Sequence, residues 1–203
     1  MYTPPYNEIE NRAEVVALMR ANAFAVLVTG TGGTLHASHL PVRVHDNPLL
    51  LDMHMARANP QWKEFFEDEV MVVFSGPHAY VSPRWYEEKE RVPTWNYAAV
   101  HAYGVPKMID DPARKLASQR QLIETYDPEW LPKFDALRKE YVDMMLDGIV
   151  NFEIRVTRID ARWKLSQQRS RREQELIAVE LERSGDSTER ALAALTRRHL
   201  VDD

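Results

Sequence analysis

The 203-residue sequence contains no cysteine, which excludes disulfide bonds, thiolate metal sites and a cysteine nucleophile. It also lacks the glycine-rich loops of Rossmann and P-loop proteins and the Gly-x-Ser-x-Gly turn of serine hydrolases. No apolar run is long enough to span a bilayer, and Met1–Arg20 lacks the pattern of a signal peptide. We therefore expect a cytoplasmic protein that has no membrane partner.

Positive charge is also scarce, with 26 Lys and Arg residues against 31 Asp and Glu residues and a net charge of -5. This balance argues against a nucleic-acid-binding protein that works through its overall field. The hydrophobic content of 44% is ordinary for a globular protein, so the chain can bury a core.

Hydrophobic periodicity predicts an α+β fold in which helices flank about six antiparallel strands. A closed or nearly closed barrel is the natural way for this many short strands to hide their edges. Helix start signals stand at Asn7, Asn59, Asp111 and Asp186. We expect residues 1–165 to form one domain and residues 166–203 a helical tail that packs on it or on a partner subunit. The predicted strands are 24–28, 35–44, 49–55, 70–81 with a break at Gly76-Pro77, 94–109 and 149–163.

Arg57 and Asn59 come just after a predicted strand and at the start of a predicted short helix. The N-terminus of a helix presents free backbone N–H groups, and a neighbouring arginine adds a bidentate donor for phosphate or carboxylate. The pair therefore predicts a phosphate site. A surface arginine beside an ordinary capping asparagine is the alternative interpretation.

The phrase Thr94-Trp95-Asn96-Tyr97 combines two large aromatic side chains with hydrogen-bonding groups. A tryptophan next to an amide can stack on a flat heterocycle and recognise its edge. The same residues could also be core aromatics at a sheet or dimer contact, and the two interpretations are compatible.

Six of the seven histidines fall between residues 36 and 101, which raises the question of a metal or haem site. No His-Glu-x-x-His phrase occurs, and His36 and His39 point to opposite faces of a strand. We therefore expect no metal site.

The segment Lys164–Arg172 joins the last predicted strand to the helical tail and carries four positive charges. It could close a phosphate or cofactor pocket, or it could form a local patch for DNA. A solvated charged linker is the third possibility.

Seven phrases in a fixed order extend over most of the chain: Met1-Tyr2-x-Pro4, His39-Leu40-Pro41, His54-Met55-Ala56-Arg57-Ala58-Asn59-Pro60-Gln61-Trp62, Gly76-Pro77-His78-Ala79-Tyr80-Val81-Ser82-Pro83, Val92-Pro93-Thr94-Trp95-Asn96-Tyr97, Val100-His101 with Gly104, and Lys164-Leu165-Ser166-Gln167. Together they resemble the PaiB family, described as FMN-binding negative transcriptional regulators. The sequence departs from the family pattern at Ala58, where a second cation would help phosphate binding, and at Gln168, which replaces an asparagine.

This resemblance implies a six-stranded antiparallel FMN-binding split β-barrel and a homodimer with FMN at the subunit interface. The cofactor-binding residues that it implies fall into four groups. They are Arg57 and Asn59 at the phosphate, His39 and Pro41 at the flavin edge, Trp95 and Asn96 at the isoalloxazine side from one or the other subunit, and His54, Met55, Lys164 and Gln167 in the same matching phrases.

Beside flavin redox chemistry, two functions stay open at this point. One is transcriptional regulation, with DNA bound through Lys164–Arg172. The other is haem binding or haem degradation, because relatives of the split barrel handle haem. The sequence assigns no catalytic residue, although His54 or His101 could transfer protons.

Overall fold

A computed structural model describes residues 1–65, 68–88 and 90–202. Within these ranges the chain forms six α-helices and eight strands. The helices are α1 (Arg12–Ala21), α2 (Pro112–Tyr126), α3 (Leu131–Asp135), α4 (Lys139–Asp147), α5 (Arg171–Glu182) and α6 (Ser187–Arg198). The strands are β1 (Phe24–Thr31), β2 (Thr34–His45), β3 (Leu50–Ala56), β4 (Val70–Val81), β5 (Thr94–Gly104), β6 (Pro106–Ile109), β7 (Ile149–Arg155) and β8 (Arg158–Lys164).

The α+β class is confirmed, but the prediction of six strands is wrong because two long predicted strands each divide. The first divides between Gly104 and Pro106, and a Cβ on Gly104 would lie 2.3 Å from the carbonyl oxygen of Arg155. The second divides at Val156 and Thr157. Both breaks lie inside apolar runs, so periodicity alone does not reveal them.

The chain divides into two compact units. The strand-rich unit comprises Ala23–Val73 and Ala102–Ile159, and the terminal unit comprises Met1–Asn22, Phe74–His101 and Asp160–Asp203. Whether residues 166–203 form a domain of their own stays a prediction.

In the strand-rich unit the hydrogen-bonded strand order is β6-β7-β3-β2-β1-β4, and these neighbours pair antiparallel. Gly32 and Gly33, both with positive φ, make the turn between β1 and β2. Residues such as Leu27, Leu51 and Phe152 are fully buried and form the core of this unit.

The terminal unit has the strand order β4-β5-β8 and contains α1, α5 and α6. The predicted break at Gly76-Pro77 is wrong, because β4 runs through both residues. A Cβ on Gly76 would lie 2.8 Å from the carbonyl oxygen of Ala98, so glycine permits a close approach to β5 there.

The helix caps predicted from the sequence are present in the structure, with one exception. Asp111 and Asp186 cap α2 and α6 as predicted, with each carboxylate accepting from a backbone N–H in the first turn. The start predicted at Asn7 is wrong: Asn11 caps α1. Asn7 is instead buried in a short 3-10 turn, Pro5–Asn7.

Candidate functional site

The turn after β3 carries Arg57, whose side chain is tied to the end of α4. Its Nε donates to the carbonyl oxygen of Asp147 over 2.6 Å, and its Nη2 donates to that of Ile149 over 3.0 Å. The backbone N–H of Arg57 donates to the carbonyl oxygen of Gly148 over 2.9 Å. These bonds satisfy carbonyl groups that a helix end leaves without partners. The side chain is exposed, and two of its five N–H donors are used, which leaves three for a ligand.

Asn59 caps the 3-10 turn Pro60–Glu64, as its position predicts. Its Oδ1 accepts from the backbone N–H of Gln61 over 3.0 Å, while its Nδ2 donates to Ser38 Oγ over 2.9 Å. The buried Gln61 side chain in turn donates to the carbonyl oxygens of Leu27 and His36 over 3.2 Å each. The turn is therefore fixed to β1 and β2, and the Asn59 side chain is already used within the fold.

The strand-rich unit holds six of the predicted site residues, and their accessibility differs. His39 is exposed on β2, Pro41 is half-buried on the same face, and His54 is half-buried on β3. Met55 lies in the core at 2% exposure, because it points to the opposite face of β3 from His54. The Ser38–Asn59 hydrogen bond brings the capped turn beside the residue that precedes His39.

His54 lies at the edge of a buried polar network. Burial lowers its pKa below the ordinary value, and the nearby Asp52 carboxylate partly opposes this effect. Asp52 itself accepts from Arg43 Nη1 over 2.8 Å and from Ser118 Oγ over 2.9 Å. The imidazole of His54 is therefore neutral near pH 7 and can accept a proton.

In the terminal unit, Trp95 is 55% exposed and lies in a group of aromatic rings. Its ring centroid is 6.2 Å from that of His78 and 6.2 Å from that of Tyr80, which meets it edge-on. We call these three residues the Trp95 cluster. An exposed cluster of this kind offers a surface on which a flat ligand can stack.

Asn96 points the other way and is fully buried. Its Nδ2 donates to Ser166 Oγ over 2.9 Å, and Ser166 Oγ lies 3.1 Å from Asn96 Oδ1. Ser166 has a backbone φ of 63°, a conformation that residues other than glycine rarely adopt. Gln167 follows at once, and its amide bonds to the backbone N–H of Leu165 and the carbonyl oxygen of Trp163. Both predicted residues thus support the turn after β8.

Lys164 reaches across to β5. Its Nζ donates to the carbonyl oxygen of Trp95 over 2.6 Å and to Thr94 Oγ1. Burial, together with the neighbouring charge of Arg162, lowers the pKa of Lys164. The ammonium group therefore fixes the backbone beneath the Trp95 cluster and places a positive charge there.

The other cations of Lys164–Arg172 also have partners. The guanidinium of Arg169 lies 5.3 Å from the ring centroid of Tyr86, and Arg172 pairs with Glu87 over 3.4 Å. These contacts reduce the positive charge that the segment presents to a ligand.

Sequence reasoning missed several residues next to the predicted ones. Ser38 binds Asn59, and Glu64 accepts from Thr29 Oγ1 and pairs with His36 over 2.6 Å. No motif links these residues, because strand pairing rather than sequence spacing brings them together. The position of Glu64 three residues after Gln61, within the same short turn, is the one local signal.

Two kinds of feature are absent from the part of the chain that the structure describes. No group of three or more His, Asp or Glu side chains among them could hold a metal ion. No helix in the described ranges has the length and apolarity needed to cross a membrane.

Residues 1–158 match the family model described as "Putative FMN-binding domain". The sequence is also 35% identical to the Bacillus subtilis "Protease synthase and sporulation protein PAI 2", over 200 residues that cover 96% of each chain. The family-model match covers the predicted site residues from His39 to Asn96 and ends before Lys164 and Gln167.

Among solved structures, the chain is similar to the flavocytochrome Anf3 of Azotobacter vinelandii, with a TM-score of 0.62, 15% identity, and 80% and 72% of the two chains covered. It is equally similar to an FAD and heme binding protein of Mycobacterium smegmatis, with a TM-score of 0.62, 15% identity, and 78% and 73% covered. At this identity the two likenesses show a shared fold.

Proposed function

The chain belongs to the PaiB family, and we propose from this that it is a flavoprotein with FMN as its cofactor, held in a split barrel. The match of residues 1–158 to an FMN-binding domain is the observation that carries the proposal. The residues of the strand-rich unit fit FMN. Arg57 is exposed and has free N–H donors, and its turn lies beside β2 and β3, which carry the accessible rings of His39 and His54.

The FMN phosphate binds at Arg57 in this proposal. The bonds to Asp147 and Ile149 hold the guanidinium in one orientation, so little side-chain entropy is lost when a phosphate takes the remaining donors. Asn59 does not contact the phosphate in this proposal. It caps the turn and holds it against Ser38 through a hydrogen bond.

The isoalloxazine ring lies along the face of β2 and β3 that carries His39, Pro41 and His54. His39 is exposed, and its ring centroid is 5.9 Å from that of Phe24, itself 70% exposed. Because burial keeps His54 neutral, it can accept a hydrogen bond or a proton from the ring system. When bound, the flavin supplies hydride and electron transfer, and the protein supplies orientation and electrostatics.

A second copy of the chain completes the site. The outer face of β1 and β2 leaves Phe24 and Leu35 70% and 75% exposed, which is unusual for large apolar side chains on a sheet. Covering this face with a partner would enclose the flavin. We infer that the Trp95 cluster and Lys164 of the partner subunit then contact the ring, while Asn96 and Gln167 support them.

The test is a titration of the purified protein with FMN, FAD and haem, followed by visible absorption. The proposal predicts a bound flavin spectrum with FMN that is weakened in Arg57→Ala and unchanged in Arg155→Ala, an exposed cation on β7 outside the site. Equal affinity for FMN and FAD would show that the protein binds flavin but that its phosphate site does not distinguish FMN from FAD.

Haem is the second candidate, because one similar solved structure is described as a flavocytochrome and the other as an FAD and heme binding protein. The specific observation that favours it is His54, whose neutral ring can act as an axial ligand. If haem addition gives a Soret band in the wild-type protein but not in His54→Ala, and FMN does not bind, then haem and not FMN is the cofactor.

A further inference from the structure

An open groove within the terminal unit shares only one residue, His78, with those assigned to the flavin. Its volume is about 830 Å³, within the range typical of small-molecule sites. Helices α1 and α6 form its walls, and residues 75–78 of β4 with Trp163 of β8 contribute the rest of its lining. We call it the α1–α6 groove.

Each wall presents one helical stripe to the groove. The α1 stripe is Glu14, Ala17, Leu18 and Ala21, and the α6 stripe is Ala191, Ala194, Leu195 and Arg198. The alanines leave the space between the stripes open and apolar. Because the lining of α6 extends from Ser187 to Arg198, the groove is roughly 16 Å long at 1.5 Å per residue. This shape suits a narrow, elongated apolar molecule.

Trp163, one of the residues that line the groove, carries an unsatisfied donor. Trp163 is 1% exposed, and its Nε1–H is buried with no hydrogen-bond acceptor in the described part of the chain. Buried N–H groups almost always have a partner, so such a donor points to an acceptor that the folded chain does not supply. A ligand with a carboxylate or carbonyl oxygen would supply it.

Charge selects a carboxylate. The one acidic residue lining the groove, among those described, is Glu14, and its carboxylate is already engaged by His199 over 2.9 Å and Asn11 over 3.2 Å. Arg198 lines the other wall, and its guanidinium has no acidic partner among the described residues. An anion entering the groove therefore meets an unpaired cation, while the oxygens of the Glu14 carboxylate already have partners.

We propose that the α1–α6 groove binds an elongated apolar carboxylate, the class to which medium-chain fatty acids belong. The apolar chain lies between the alanine stripes, and the carboxylate accepts the N–H of Trp163 within the positive field of Arg198. This site is independent of the flavin proposal, since none of its residues has a role there except His78, which belongs to the Trp95 cluster.

Calorimetric titration with decanoate tests the site. The proposal predicts saturable binding, loss of binding in Ala194→Trp, and affinity about tenfold weaker in Arg198→Ala, as expected when one charge-assisted contact is lost. Ala194 is exposed, so the larger side chain fills the groove without disturbing the core. Arg190→Ala removes the same charge from α6 outside the groove and is expected to leave binding unchanged.

The charge and the donor are tested separately. Decanol and decylamine have the same chain without the carboxylate, and binding of either as tight as that of decanoate would overturn the proposal. In a nitrogen-15 correlation spectrum, the indole N–H resonance that disappears in the Trp163→Phe variant is assigned to Trp163. The proposal predicts that this resonance shifts when decanoate is added, because the N–H then donates to the carboxylate. Decanoate binding without this shift would also overturn the proposal, and so would binding that is retained in Ala194→Trp.

Discussion

Arg57 Nε donates to the carbonyl oxygen of Asp147 over 2.6 Å, so the residue predicted to bind phosphate is also a cap for α4. The two roles are compatible because they use different N–H groups of one guanidinium. They also predict that flavin binding and the stability of the α4–β7 junction respond to the same substitution.

Replacing Arg57 by alanine is expected to lower the free energy of unfolding by about 1–2 kcal/mol, because exposed carbonyl groups at the end of α4 lose charged donors. Urea denaturation without flavin measures this loss. Arg155→Ala, which also removes an exposed cation, serves as the control. An unfolding curve for Arg57→Ala that coincides with wild type would show that these hydrogen bonds contribute nothing to stability.

Asn96 and Ser166 are expected to stabilise the fold as a pair. Asn96→Ala leaves the buried Ser166 hydroxyl without its partner and should cost about 1–3 kcal/mol of unfolding free energy. In a double-mutant cycle with Ser166→Ala, the combined loss should be smaller than the sum of the single losses. Strictly additive losses would mean that the two side chains act independently.

Unfolding free energy should depend on pH through His54. Because burial depresses its pKa in the folded state, the unfolded chain binds the proton at higher pH than the folded chain does. Stability is therefore full above the ordinary histidine pKa of about 6.5 and falls as the pH drops from there toward the folded pKa.

His54→Gln should flatten this dependence between pH 7 and pH 5 in chemical denaturation. Burial lowers the pKa of His101 in the same direction, so a residual slope should remain. His39→Gln, at an exposed ring, is the control. A slope of opposite sign, with stability increasing as the pH falls, would contradict the assigned effect of burial.

The exposed face of β1 and β2 should be where two subunits meet. Leu35→Glu places a charge on that face and is expected to shift the protein from dimer to monomer in sedimentation velocity, with weaker FMN binding. Val92→Glu, at a residue that is 72% exposed elsewhere, is the control. A Leu35→Glu protein that stays dimeric would place the subunit contact on another surface.

Sequence patterns predicted the parts of this fold that local chemistry determines. The caps at Asp111 and Asp186 and the turn at Asn59 depend on side chains that bond within three residues, and all three are present. The divisions of β5 from β6 and of β7 from β8 depend on contacts between distant segments, such as the approach of Gly104 to Arg155, which periodicity does not contain.

The predicted site residues divide in the same way. Arg57 and His39 are exposed and accessible to a ligand, whereas Met55 and Asn96 are buried and bonded or packed within the fold. A motif marks both kinds, because it records which residues occur together and not whether a side chain faces the ligand or the core.

The most direct test of the flavin site compares FMN with riboflavin, which lacks the phosphate, on wild-type protein and on Arg57→Ala. If Arg57 binds the phosphate, the substitution should weaken FMN by about tenfold or more and leave riboflavin affinity unchanged, since only FMN presents the charged acceptor. Equal losses for the two ligands, or no loss for either, would contradict the assignment of Arg57 to the phosphate.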